Sequence, residues 1–214
     1  MTGRSWFAGL EFKVDARALV PRSPIAELIM SEFQPWLAKE PAHILDLCCG
    51  GGCIGIAACV YTEKSVITAC DISAEALALA RENATLHEVE DRYHACHGDL
   101  FEPLPGNRRY DLIVSNPPYV DAQDMRGLAE EFHHEPVLGL EAGADGLDIV
   151  ARILNQASDY LSENGVLIVE VGNSEQAVDK RFSTLPLVWL EFDNGGSGVF
   201  LVEASALRQW RSQL

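Results

Sequence analysis

One short run limits the possible folds more than any other part of the chain. It reads Tyr110-Asp-Leu-Ile-Val114, then Ser115-Asn116-Pro117-Pro118-Tyr119. The first half is apolar and β-rich and has the character of a buried strand. The second half cannot extend it. Asn116 precedes a proline and is driven toward extended geometry, while Pro117 and Pro118 have no amide proton to give to a ladder. A strand ending in a stiff diproline corner marks the carboxyl edge of a sheet, where open α/β sheets hold their ligands. The corner offers the Asn116 carboxamide, backbone carbonyls and the Tyr119 ring. An isolated Asn-Pro is usually an ordinary turn; here the second proline and the aromatic residue shift the reading to function.

The remaining pattern supplies that sheet. Strand-like runs at residues 44–47, 66–70, 92–96, 110–114 and 166–171 alternate with helix-like runs at 53–61, 73–86, 147–161 and 174–182. Such alternation predicts an α/β fold, a mainly parallel sheet with helices on both faces. The runs at 188–192 and 199–202 lie too close for a helical crossover, so at least one of them is expected to be antiparallel. Residues 6–14 read as a hairpin. Ser23 and Pro24 open a helix expected over 24–36, with Ile25, Leu28, Ile29 and Phe33 on its apolar side. Residues 121–146 read as a polar loop long enough to act as a lid.

A length of 214 residues suits one full domain. No apolar run is long enough to cross a bilayer, and no charged-then-apolar leader opens the chain, so the cytoplasm is the expected compartment. The net charge of −16 argues against strong direct binding to nucleic acid. It favours small-molecule chemistry or a basic protein partner. The six cysteines, Cys48, Cys49, Cys53, Cys59, Cys70 and Cys96, form no Cys-x-x-Cys pair and read as reduced, buried residues. His94, Cys96 and His97 lack a second ligand group at metal-site spacing, so no metal is expected.

The turn after the first strand reads Asp46-Leu-Cys48-Cys-Gly50-Gly-Gly52-Cys-Ile-Gly55. Gly50 and Gly52 let a ligand lie against bare backbone, and the following helix aims free amides at it. Asp71 ends the second strand about 20 residues later, where an acid can accept ribose hydroxyls. Gly50, Gly52 and Gly55 with Asp71 also fit a dinucleotide fingerprint, so a nicotinamide oxidoreductase is a rival. Asp46 leans against it: a carboxylate there repels a pyrophosphate and attracts an ammonium. Asp99, after Gly98 at the end of the third strand, adds an acceptor for an adenine amino group. Three carboxylates suit a cationic nucleoside carrying an amino acid, and S-adenosylmethionine is such a molecule.

These residues resemble class I S-adenosylmethionine-dependent methyltransferases, specifically the HemK-like protein-glutamine methyltransferases. The shared pieces are residues 46–55, Asp71, Gly98-Asp99, Asn116-Pro-Pro-Tyr119 and a stretch from His134-Glu135-Pro136 to Gly146-Leu147. Glu11-Phe12-x-Val14 and the Val20-Pro-Arg22-Ser23-Pro24 segment look like the branch acting on a glutamine of the third large-subunit ribosomal protein. Cys48 stands where many relatives have Gly, and Gly51 where Ser or Thr is frequent. The resemblance implies a Rossmann-like, mostly parallel seven-stranded sheet with an antiparallel strand near the C-terminus. It implies a methyltransferase domain over 41–214, and makes 1–40 a hairpin and helix left from, or linking to, an N-terminal recognition domain. It implies cofactor contacts from Asp46, Cys48, Gly50, Gly52, Asp71, Ile72, Asp99, Leu100 and Asn116.

On this view the Asn116 side-chain oxygen and the Pro117 carbonyl accept the two protons of a glutamine amide, and Tyr119 packs on its plane. Pro118, Arg22, Ser23 and Glu135 complete the substrate side. The alternatives are an amino methyltransferase acting on RNA or DNA bases, and an accessory subunit that binds cofactor but needs a partner.

Overall fold

The computed structural model describes residues 3–118 and 147–213. A hairpin, β1 (Arg4–Phe7) and β2 (Leu10–Lys13), precedes a short helix α1 (Ile25–Met30). The alternating part follows: β3 (His43–Leu47), α2 (Cys53–Tyr61), β4 (Val66–Asp71), α3 (Ala74–Leu86), β5 (Tyr93–His97) and β6 (Tyr110–Ser115). After the undescribed stretch come α4 (Asp148–Tyr160), β7 (Leu161–Glu170), α5 (Glu175–Arg181), β8 (Val188–Trp189), β9 (Val199–Glu203) and α6 (Ala204–Arg211).

The seven described strands of the main sheet run in the order β5-β4-β3-β6-β7-β9-β8. Neighbours from β5 to β7 pair in parallel, and β9 is antiparallel to both β7 and β8. This is the seven-stranded architecture expected, with β9 as its antiparallel strand. The order reverses direction at β3 and β6, so their carboxyl ends flank the crevice where such sheets take ligands.

Alternation of apolar side chains explains the layers. Ile44, Ile67, Leu112, Val114 and Ile168 face α1 and α2 in one core. Leu45, Leu47, Ile113, Leu167 and Val169 face α4 and α6 in the other. Strands buried on both faces read as continuous apolar runs, which is why these were legible. The hairpin joins the first core through Phe7 and Phe12, and Phe12 packs on the His87 ring with centroids 4.9 Å apart.

Two helices differ from expectation. The helix expected over 24–36 stops at Met30. Pro35 disfavours helical geometry at Gln34. The chain leaves through left-handed Glu32 and Phe33, with φ of 53° and 61°. That path puts the Phe33 ring fully into the core. Ser23 is not a regular cap: its Oγ accepts from the Ile25 amide at 3.1 Å, and Pro24 is the cap residue. At the other end, α6 was not anticipated, although Ala204, Leu207 and Trp210 repeat every three residues and are all buried.

Asn83 on α3 ties three segments together. Its Oδ1 accepts from the Lys13 amide at 2.9 Å, and its Nδ2 donates to Lys13 O at 3.2 Å and Gly51 O at 2.9 Å. Asn83 has no exposed surface. Asn83→Ala is therefore expected to lower unfolding free energy by roughly 2–4 kcal/mol, since it orphans buried backbone groups. Urea denaturation with an unchanged m-value is the measurement.

Candidate active site

The glycine turn is built by backbone conformations that side chains rarely adopt. Cys48 leaves β3 with φ of 58°, and Gly50 and Gly52 follow at 52° and 82°. A left-handed non-glycine residue is strained, and such strain gathers at functional turns. Gly52 also has no room for a side chain: an added Cβ would lie 2.7 Å from Tyr93 Oη and 2.9 Å from Ile56 Cδ1. Asp71 clamps the turn from the next strand. Its Oδ2 accepts from the Gly50 amide and its Oδ1 from the Ser73 amide, both at 2.8 Å. Ser73 Oγ in turn accepts from the Ala76 amide at 3.1 Å and opens α3, as the sequence predicts.

The diproline corner stands beside this turn. Leu47 and Ser115 are register partners in the parallel β3–β6 pair, and Ser115 Oγ donates to Leu47 O at 2.9 Å. Cys48 and Asn116 are thus the next residues of two adjacent strands leaving the same edge. Asn116 and Pro118 are half-buried and Pro117 is buried. Tyr119 and Glu135 lie outside the described residues. Burial pushes the Cys48 thiol up to about 12, helped by Asp71, Asp46 and Asp99 and opposed by the Ser115 hydroxyl.

The carboxylates themselves are less open than the sequence reading supposes. Asp46 has no exposed surface. Its Oδ2 accepts from the Gly55 amide at 2.9 Å, while its Oδ1 has no partner among the described residues. Burial raises the Asp46 carboxyl to about 8 against the Gly55 bond, and Asp71 adds to the rise. Asp99 is paired with Arg152 of α4 at 2.7 Å. The expected trio of waiting anions is corrected to one buried acid, one backbone clamp and one ion-paired residue. Ile72 is 58% exposed beside Asp71, and Leu100 is buried with φ of 51°.

On the substrate side, Arg22 is exposed and Ser23 is buried. Ser23 Oγ donates to Glu170 Oε2, so the hydroxyl expected to meet substrate is engaged within the protein. Glu170 closes β7, one residue after Val169, the register partner of Ser115. Sequence reasoning missed Ser115, Arg152 and Glu170. Glu170 left a signal, a lone acid inside the run Val166-Leu-Ile-Val-Glu-Val171. Arg152 left none, because an arginine on the polar side of a helix is commonplace.

The raised Asp46 carboxyl carries a pH dependence. A buried acid protonated in the fold but not in the unfolded chain adds stability at low pH, and that stability is lost as pH rises from about 4 toward 8. Asp46→Asn removes the titration. The variant is expected to match the parent in melting temperature near pH 4 and to exceed it at pH 8, with a difference growing by less than about 1.4 kcal/mol per pH unit.

Comparison with known proteins bears on the same residues. A family model described as the methyltransferase small domain matches residues 26–145. A ribosomal protein uL3 glutamine methyltransferase of Francisella tularensis is 50% identical over 210 residues, covering 97% of this chain and 67% of the relative. One of Xanthomonas campestris is 52% identical over 209 residues, with the same coverage. The chain thus spans about two thirds of the length of these relatives. Among solved structures, the T. thermophilus 16S rRNA N2 G1207 methyltransferase, in complex with AdoMet and guanosine, aligns with a TM-score of 0.62 at 18% identity. That match covers 94% of this chain and 49% of the other, and speaks for the fold alone. The nicotinamide alternative falls away: the chain belongs to the methyltransferase family that the uL3 glutamine methyltransferases represent.

Proposed function

We propose that this chain uses S-adenosylmethionine to methylate the side-chain amide nitrogen of a glutamine in ribosomal protein uL3, and does so in the cytoplasm. The observation that carries this is the shared edge of β3 and β6. The glycine turn and the Asn116-Pro117 corner leave neighbouring strands at one register position, locked by the Ser115–Leu47 bond. Relatives 50–52% identical bear that activity in their names.

The residues fit the cofactor. Asp46 Oδ1, without a partner among the described residues, is a place for an ammonium, whose arrival would favour the ionised carboxylate that burial otherwise disfavours. Bare backbone at Gly50 and Gly52 admits close approach, and exposed Ile72 offers apolar surface for a base beside Asp71 and Asp99. Cys48 and Leu100 hold the two left-handed corners of the same rim. When bound, S-adenosylmethionine supplies a methyl group on a positively charged sulfur.

The protein's part is to present the acceptor. A glutamine amide is a weak nucleophile, because its lone pair is delocalised into the carbonyl. Asn116 Oδ1 and the Pro117 carbonyl accept its two protons and fix the nitrogen toward the turn. Alignment of that kind lowers a barrier by roughly 7–11 kcal/mol at most. The same two oxygens stabilise positive charge as it develops on nitrogen. Tyr119 covers the amide plane, and Pro118, Arg22, Ser23 and Glu135 frame the entry. Within this reading residues 41–214 are the methyltransferase domain. The net charge of −16 suits a basic protein substrate and disfavours bare RNA.

Asn116→Ala is expected to cut turnover by at least roughly a hundredfold, the scale of losing one preorganised contact. Calorimetry should find its cofactor affinity within a few-fold of the parent; unchanged turnover would refute the role. Asp71→Ala should instead weaken cofactor binding, because the Gly50 and Ser73 amides lose their common acceptor. The substrate is tested by incubating unmodified ribosomal proteins and ribosomal RNA with isotope-labelled methyl donor. Tandem mass spectrometry should place the label on a uL3 glutamine; label on RNA bases would overturn the reading.

A further inference from the structure

A groove of about 510 Å³ opens at α1, floored in part by the β1–β2 turn at Ala8 and Gly9. This is a size ordinary for a binding cleft. One wall is α1 with Arg22 and Ser23 ahead of it, and the other is the loop between β8 and β9. Both carboxylate oxygens of Glu27 fasten that loop to α1, accepting from the Asp193 amide at 3.0 Å and the Asn194 amide at 2.9 Å. The Asn194 amide, more than any other contact, holds the Glu27 carboxyl below its usual range and keeps it charged. Gly196 packs where only glycine fits, since an added Cβ would lie 2.8 Å from Pro24 Cβ. Gly195 is exposed, with nothing within 4 Å of the same position, and its amide donates to the Phe192 carbonyl at 3.4 Å. Met30 lines the groove and is 44% exposed.

We infer that this groove receives an extended, basic segment of the protein substrate that flanks the methylated glutamine. The inference rests on the glutamine-methyltransferase reading above and adds a second point of contact to it. Three observations carry it. First, the groove is continuous with the site: Ser23 lines it and also bonds Glu170, which ends the strand next to Asn116. A polypeptide whose glutamine sits at the corner must leave along the surface, and this channel opens beside it. Second, an exposed loop with glycines at 195 and 196 and a flexible, exposed methionine suit an extended chain lying along the groove and making an adaptable apolar contact. Third, the overall charge fits. The lining's one acid, Glu27, and one cation, Arg22, are both engaged, and the whole chain around them carries −16. A basic segment is drawn to such a surface.

The test compares two substrates in parallel: fluorescently labelled, unmodified uL3, and a short peptide holding only the glutamine and its immediate neighbours. Met30→Arg opposes the segment by charge, and Met30→Trp opposes it by bulk. The Met30 site is exposed, so the fold should hold, and melting temperature and cofactor affinity should not move. For uL3, both variants should raise KM and weaken binding by anisotropy about tenfold or more, equal to about 1.4 kcal/mol, with kcat unchanged. For the short peptide, neither KM nor kcat should change. Methylation of uL3 with unmoved KM and affinity in both variants would overturn the groove alone. Equal losses on both substrates would overturn it too, by locating the damage at the catalytic corner. A parent chain that methylates no protein glutamine would overturn the underlying reading and the groove together.

Discussion

The geometry of the site depends on the parallel register between β3 and β6. Leu47 lies opposite Ser115, and the Ser115 hydroxyl closes onto the Leu47 carbonyl. A single hydrogen bond contributes only about 1 kcal/mol net. The register is secured mainly by packing. Leu45, Leu47 and Ile113 fill one core, while Ile44, Leu112 and Val114 fill the other. A slip of one residue would turn every side chain to the opposite face and carry Asp46 with it. Because the register is fixed, the glycine turn and the diproline corner leave β3 and β6 at the same height.

Around that edge, acids hold backbone in place as much as they await a ligand. Asp71 spends an oxygen on each of two amides, and Asp46 braces the first turn of α2 from below. Asp99 is tied to α4 through Arg152. Each bond fixes a group near the turn before any ligand arrives, so less ordering remains to be done on binding. Asp46 Oδ1 is the exception, a buried atom with no partner among the described residues. Its neutral form is the stable one until a cation comes near, because burial outweighs the Gly55 bond.

Much of the fold was legible because it is local or periodic. The apolar runs of β3, β4, β6 and β7, the glycine turn and the Ser73 cap each announce themselves within a few residues. What was hidden depends on distant partners. The early end of α1 reflects the burial of Phe33, which sequence alone assigned to a longer helix. Asp46 reads as a carboxylate open to a ligand, yet it lies on a strand buried on both faces and has no exposed surface. Ser23 reads as a helix cap, but its hydroxyl meets Glu170 across 147 positions of sequence. The candidate site was therefore legible as a set of positions, while the state of each group was not.

A crystal structure of the protein with S-adenosylhomocysteine and a uL3 peptide containing the target glutamine tests the central claim most directly. The expected result is the cofactor product against Gly50 and Gly52, with the glutamine amide nitrogen facing its sulfur and bonded to both Asn116 Oδ1 and the Pro117 carbonyl. A product molecule held elsewhere, or a glutamine amide that touches neither oxygen, would contradict it.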